Sequence, residues 1–196
     1  AFDYSLNQNG TGDDELISTL KDLVQATPKT ATELFFNQLF GGRQGKAVLG
    51  DMLAVLLNNS MYTYKVAGPL VAIEKELIQH SCKLIGFEGN CDGTIATGGS
   101  MSNYMALLMA RDKALPDARL NGISEPLVMY TSEESHYSNA KNASFAGIGR
   151  NNVRYIETDE QGQMRAESLK NQIVQDISDG LKPFYVNVTA GTTVLG

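Results

Sequence analysis

Three short segments hold residues whose types and spacing could do chemistry. The first is GTIATGGSMSN at 93–103, where Gly98 and Gly99 run into Ser100 and Ser102. Glycines let a backbone approach a ligand, a helix start offers unpaired N–H groups with partial positive charge, and a serine hydroxyl adds a donor. That combination suits an anion such as phosphate; the plain alternative is a helix cap, for which Gly and Ser are favoured anyway. The Lys-Ser/Thr ending of a nucleotide P-loop is missing, and neither this turn nor GIG at 147–149 completes GxGxxG, which argues against dinucleotides. A rival is the nucleophile elbow GxSxG: residues 98–102 match four of its five positions, with Ser100 as nucleophile, His136 as base and Ser102 in place of the second glycine.

The second segment, TSEESHYSNAK at 131–141, places His136 after an apolar run and ahead of a helix. An imidazole there can stack on a flat heteroaromatic cofactor, move a proton near neutral pH, ligate a metal, or simply help to start the helix. The only other histidine, His80, has no Cys or carboxylate at ligand spacing, so no metal is expected. The third segment, FYVNVTAGTT at 184–193, ends an apolar run in hydroxyls and a glycine, a pattern that strand and turn propensities also produce unaided.

These segments need elements to hold them. Leu16, Ile17, Leu20, Leu23 and Val24 recur at helical spacing until Pro28. FFNQLFGGRQGK at 35–46 reads as an irregular loop. Core helices are expected over 47–57 and from Gly68-Pro69 to near Gly86, since proline suits a first helical turn. Then come strand 94–97, helix 100–114, strand 127–131, helix 138–146, strand 153–157, helix 165–178 and strand 184–188. This βαβ rhythm predicts a largely parallel, wrapped sheet, and each of the three segments falls at a strand's carboxyl end, where such sheets bind ligands.

Bulk properties narrow the class. At 196 residues and 42% hydrophobic the chain can bury a core, and a net charge of −6 argues against a nucleic-acid surface. The longest apolar runs, such as 52–57, fall far short of a membrane span, and no basic-then-apolar leader opens the sequence. Cys82 and Cys91 have neither CxxC spacing nor the density of a secreted scaffold, which points to a reducing cytoplasm, with a single bridge between them left open.

Together, FFNQL at 35–39, MYTY at 61–64, GGSMSN at 98–103, SEESHYS at 132–138 and VTAGTT at 188–193 resemble the group II pyridoxal-phosphate (PLP) dependent amino-acid decarboxylases, nearest the glutamate and cysteine-sulfinate decarboxylases. The resemblance runs from Phe35 onward, in the family's order. It implies an α/β fold: an aspartate-aminotransferase-type (fold type I) large domain, incomplete here, with an N-terminal helical dimerisation segment. On that basis residues 1–45 form the N-terminal segment and 46–196 the first part of the PLP-binding domain of a cytoplasmic homodimer.

The same resemblance implies that Gly99 and Ser100 hold the PLP phosphate and that His136 stacks on the pyridine ring. It puts Thr189 beside the cofactor phenolate and the substrate, making His136 and Thr189 the catalytic positions. Gln38 and Tyr62 match substrate-binding positions, which favours a small acidic amino acid: glutamate first, then aspartate, cysteine sulfinate or diaminobutyrate. The implied reaction is decarboxylation, with the cofactor as electron sink. The family's Schiff-base lysine, ring-nitrogen aspartate and carboxylate-binding arginine lie beyond VTAGTT, and none of Lys141, Lys170 or Lys182 matches that lysine's motif. The chain is therefore expected to be one piece of a longer protein that lacks the catalytic lysine by itself. The alternatives are a serine hydrolase using Ser100 and His136, and a non-catalytic PLP-binding relative.

Overall fold

A computed structural model describes residues 5, 8–37, 39–87 and 89–195. The chain divides into two compact units, Ala1–Asn59 and Ser60–Gly196. In the first, helix α1 (Asp13–Ala26) begins with three acidic residues, Asp13, Asp14 and Glu15, which complement the positive end of the helix dipole. Helix α2 (Gly45–Leu57) is capped by the Gln44 side chain, which accepts from the Ala47 N–H at 2.9 Å. Neither helix buries a residue. The expectation that 47–57 forms a core helix is therefore corrected: its apolar side chains, among them Leu49, Leu53 and Leu56, find no cover within their own unit.

The second unit opens with a single turn, α3 (Tyr64–Ala67), and helix α4 (Pro69–Leu84), which starts on proline as anticipated but buries only Cys82. Helix α5 (Gly99–Ala114) and the short α6 (Ala118–Asn121) lead to strand β1 (Leu127–Ser132). Then follow α7 (Ser138–Phe145), β2 (Val153–Ile156), α8 (Ala166–Ser178) and β3 (Lys182–Val186). The three strands are parallel in the order β2-β1-β3, bearing out the wrapped α/β reading.

Strand β1 is buried along its whole length, as a central parallel strand with helices on both faces must be. Its alternate residues go to opposite layers. Met129 packs with Leu107, Ala143, Ala146, Ile148 and Val153 on the α5 and α7 side. Val128 and Tyr130 pack with Ile156, Leu169 and Ile173 on the α8 side. Burying each such aliphatic side chain contributes about 1.5–3 kcal/mol, which makes this three-layer arrangement the rigid base of the unit.

Two expected strands differ. Residues 94–97 are irregular, with a bend at Thr97, and form no ladder with β1, β2 or β3, because strand character needs a paired neighbour and none lies alongside among the described residues. The last strand begins at Lys182 and ends at Val186, two residues earlier than its apolar run suggested. Register explains the shift: Leu127 and Val128 pair with Lys182 and Pro183, then a bulge skips Phe184 before Met129 meets Tyr185.

Candidate functional site

The site assembles at the carboxyl end of the sheet, where β1 gives way to α7 and α5 begins. At the start of α5 the helical bonds are first made by Met101 and Ser102, whose N–H groups donate to the Gly98 carbonyl at 3.0 and 3.1 Å. The N–H groups of Gly99 and Ser100 precede those bonds, and α5 is 16 residues long, so its dipole adds to their pull on an anion. A Cβ built on Gly98 or Gly99 would meet nothing within 4 Å. The turn is thus an open approach to backbone donors, flanked by the exposed Ser100 and Ser102.

This turn is fastened to the histidine by side chains from α5 and α7. Asn103 donates to Ser138 Oγ at 3.0 Å, and Ser138 Oγ lies 2.8 Å from His136 Nδ1. The Ser138 backbone N–H also donates to Nδ1, at 3.2 Å. A ring nitrogen that accepts from an amide carries no proton, so the proton of the neutral ring sits on Nε2. Asn142 donates to the Ser100 carbonyl at 3.0 Å, tying the same turn to α7 a second time. Ser138, Asn139 and Asn142 are all buried, and Asn139 donates to Asn187 Oδ1 at 2.9 Å, linking α7 to the residue that follows β3.

The His136 ring is exposed, and the Tyr137 ring lies against one of its faces at 4.3 Å between centroids and a tilt of 31°. Beside it Ser135 Oγ is enclosed with no hydrogen-bond partner among the described residues. Thr189, half-buried just after β3, lines a cavity of about 460 Å³ together with Ser132, Gly162, Met164 and Thr192.

Of the residues singled out in the sequence, Ser100 and His136 are each hydrogen-bonded to α7, Ser100 through Asn142 and His136 through Ser138; Gly99 adjoins Ser100 in the same turn, and Thr189 follows β3 at the same end of the sheet. Tyr62 does not join them; it is 92% exposed. Gln38 lies outside the described residues. The hydrolase alternative needs a hydrogen bond between Ser100 and His136; the imidazole is bonded instead to Ser138, which is wholly buried and cannot act as a nucleophile.

The polar residues that connect the turn to the histidine were missed by motif reading. Their signal was a helix whose inward positions 138, 139 and 142 are Ser and Asn where an apolar face is usual. A second buried group lies on the opposite face of the sheet. Tyr130 OH donates to Asp176 Oδ2 at 2.8 Å while Arg154 Nε donates to Asp176 Oδ1 at 3.0 Å, clamping α8 to β1 and β2. Burial first, then the bond to Asp176 and its charge, raise the Tyr130 hydroxyl above the ordinary tyrosine range.

A PLP phosphate fits what is present: backbone and hydroxyl donors at a glycine turn, with an imidazole fixed beside it. The pyridoxal-dependent decarboxylase conserved domain matches residues 1–196. The chain is 38% identical to acidic amino acid decarboxylase GADL1 of Xenopus tropicalis and 37% identical to mouse cysteine sulfinic acid decarboxylase. Each comparison covers 100% of this chain, and 38% and 40% of those proteins. The crystal structure of mouse CSAD superposes with a TM-score of 0.94 over 100% of this chain and 42% of that one. A structure of Oryza sativa TDC with PLP and tryptamine, 23% identical, shares the fold with a TM-score of 0.84. This chain, spanning about two fifths of the length of those curated relatives, belongs to the pyridoxal-dependent decarboxylase family.

Proposed function

We propose that the protein containing this chain decarboxylates a small acidic L-amino acid, glutamate first, and that these residues hold the phosphate and one ring face of its PLP. The observation that carries the reading is the Asn103–Ser138–His136 system, because it fixes an anion-binding turn and an imidazole as one unit. Gly99 and Ser100 bind the phosphate through N–H and hydroxyl groups. His136 offers the pyridine ring the face that Tyr137 leaves open. When bound, PLP supplies the electron sink for loss of CO2.

The chain's own residues do the rest. Ser138 holds the imidazole at a set tilt with Nε2–H outward, so the ring can donate toward substrate or carry a proton there. Thr189 places a hydroxyl on the cavity wall. Gln38 and Tyr62 are each substrate-binding positions in this reading, supported by their match to glutamate-type motifs and by the acidic amino acids that the relatives above are named for. Residues 46–196 then form the first part of the cofactor domain. Residues 1–45 form an N-terminal segment that, with the uncovered apolar faces of α1 and α2, joins two copies into a homodimer. No helix among the described residues is long and apolar enough to cross a membrane.

The test is to record the visible absorbance of bound PLP in the full-length protein and to assay CO2 release from glutamate, aspartate, cysteine sulfinate and diaminobutyrate. PLP absorbance with CO2 from at least one substrate is expected. Absence of both overturns the proposal, and PLP without CO2 would identify a non-catalytic PLP-binding relative.

A further inference from the structure

The segment that leads into the phosphate turn has no strand neighbour among the described residues, yet it is tied down at its start. Cys82, buried at the end of α4, is disulfide-bonded to Cys91, with 6.4 Å between their Cα atoms. Around that bond, Gln79 Nε2 donates to the Cys91 carbonyl at 2.6 Å, and Phe87 N–H donates to the Cys82 carbonyl at 2.9 Å. Gly93 lies so close to α4 that a Cβ there would come within 3.3 Å of Ile78 Cγ2. From Thr94 to Ala96 the backbone is irregular with no sheet pairing, Thr97 sits in a bend, and at Gly98 the candidate phosphate turn begins.

We propose that Cys82 and Cys91 form a reversible thiol-disulfide latch that orders residues 91–97 and so tunes how tightly the turn at 98–100 holds its anion. The effect on PLP rests on the function proposed above; the latch itself does not. Cys91 is partly exposed and lines a cavity of about 440 Å³ with Lys75, Gln79 and Asp92, which gives an external disulfide access to its sulfur. Disulfides in reducing compartments are mostly transient or redox-sensing, so a lone pair so placed is better suited to switching than to permanent stapling.

Glutathione disulfide is the oxidant. The Cys91 thiolate attacks one of its sulfurs, forming a mixed disulfide and releasing one glutathione thiolate. The Cys82 thiolate then attacks the Cys91 sulfur, breaking its bond to glutathione and releasing the second. Two electrons pass from the cysteine pair to the glutathione disulfide, and the two thiol protons end on the two glutathiones. An excess of glutathione runs the same steps backwards.

The experiment equilibrates the full-length protein in glutathione buffers of graded oxidation, quenches in acid, alkylates free thiols and weighs the peptides. Cys82 and Cys91 are expected to pass together from two adducts to none, the oxidised form two hydrogen atoms lighter. Two adducts at every ratio, or glutathione retained on Cys91 alone, overturn the latch. Hydrogen exchange at 91–98 should slow on oxidation in the wild type and become redox-independent in Cys82→Ser and Cys91→Ser; identical exchange in both states overturns the ordering. PLP release should slow roughly fivefold on oxidation, the factor that about 1 kcal/mol of backbone ordering gives. Redox-dependent exchange with redox-independent PLP release overturns the tuning role. A protein that binds no PLP overturns both the tuning role and the function above, while the alkylation and exchange results still decide the latch.

Discussion

Ser138 meets His136 twice: its backbone N–H lies 3.2 Å from Nδ1 and its Oγ 2.8 Å from the same atom. Because Asn103 on α5 donates to that Oγ, the hydroxyl proton is directed at the imidazole. One buried serine therefore sets the ring's tautomer and couples it to the helix whose first turn forms the proposed anion site.

Replacing that serine tests the coupling. Ser138→Ala keeps the backbone bond but removes the bridge to Asn103, leaving a partly buried amide without its acceptor. Such a loss costs about 1–3 kcal/mol. Denaturant unfolding should show that cost, and PLP titration should show weaker retention. Unchanged affinity with lowered stability would confine the bridge to a structural role.

Asn142 makes the second tie, to the Ser100 carbonyl. Asn142→Ala should loosen the turn without touching His136, again at about 1–3 kcal/mol. The expected signature is faster hydrogen exchange at 99–102 with the histidine's NMR resonances little moved. Shifted His136 resonances would mean that the two ties do not act separately.

The Tyr130 hydroxyl gives a pH prediction. Its raised pKa means that the folded state holds the proton more tightly than the unfolded state, whose tyrosine titrates near pH 10. The stabilisation is thus fully present below about pH 10 and is lost as pH rises toward the folded value. Tyr130→Phe should lie below wild type in unfolding free energy at neutral pH, by about 1–3 kcal/mol for the lost bond to Asp176. That gap should narrow in alkaline solution. A gap that widens with pH would contradict the assignment.

The uncovered face of α2 predicts self-association. Leu53→Glu places a charge on an exposed apolar stripe, so it should leave the unit's own packing alone and shift sedimentation toward monomer. An oligomeric state identical to wild type would remove α2 from the interface.

Much of this was legible in the residues themselves. The parallel sheet followed from βαβ spacing, and the helix that starts at Gly99 and the placing of His136 between β1 and α7 followed from the order of apolar runs and glycines. What stayed hidden depends on neighbours distant in sequence. Asn103 and Ser138 are 35 residues apart, as are Arg111 and Ala146, and neither pair has a local pattern. The segment 94–97 has strand composition, but a strand is made by its partner, and its four residues have none among those described. The apolar sequence of α2 reads as core because hydrophobicity says that a surface will be covered, not by what. The two cysteines, nine residues apart, gave no spacing signal because helix α4 and the turn after it bring them together.

The most direct measurement of the central claim is equilibrium binding of PLP and of pyridoxal, which lacks the phosphate, to the apo form of the full-length protein and its Ser100→Ala variant. The turn at 98–100 predicts much tighter binding of PLP than of pyridoxal. In the variant, PLP affinity should fall by the roughly five- to 150-fold that one charge-assisted hydrogen bond of about 1–3 kcal/mol represents, with pyridoxal affinity unchanged. Equal affinity for the two compounds, or a variant that binds PLP as tightly as wild type, would contradict it.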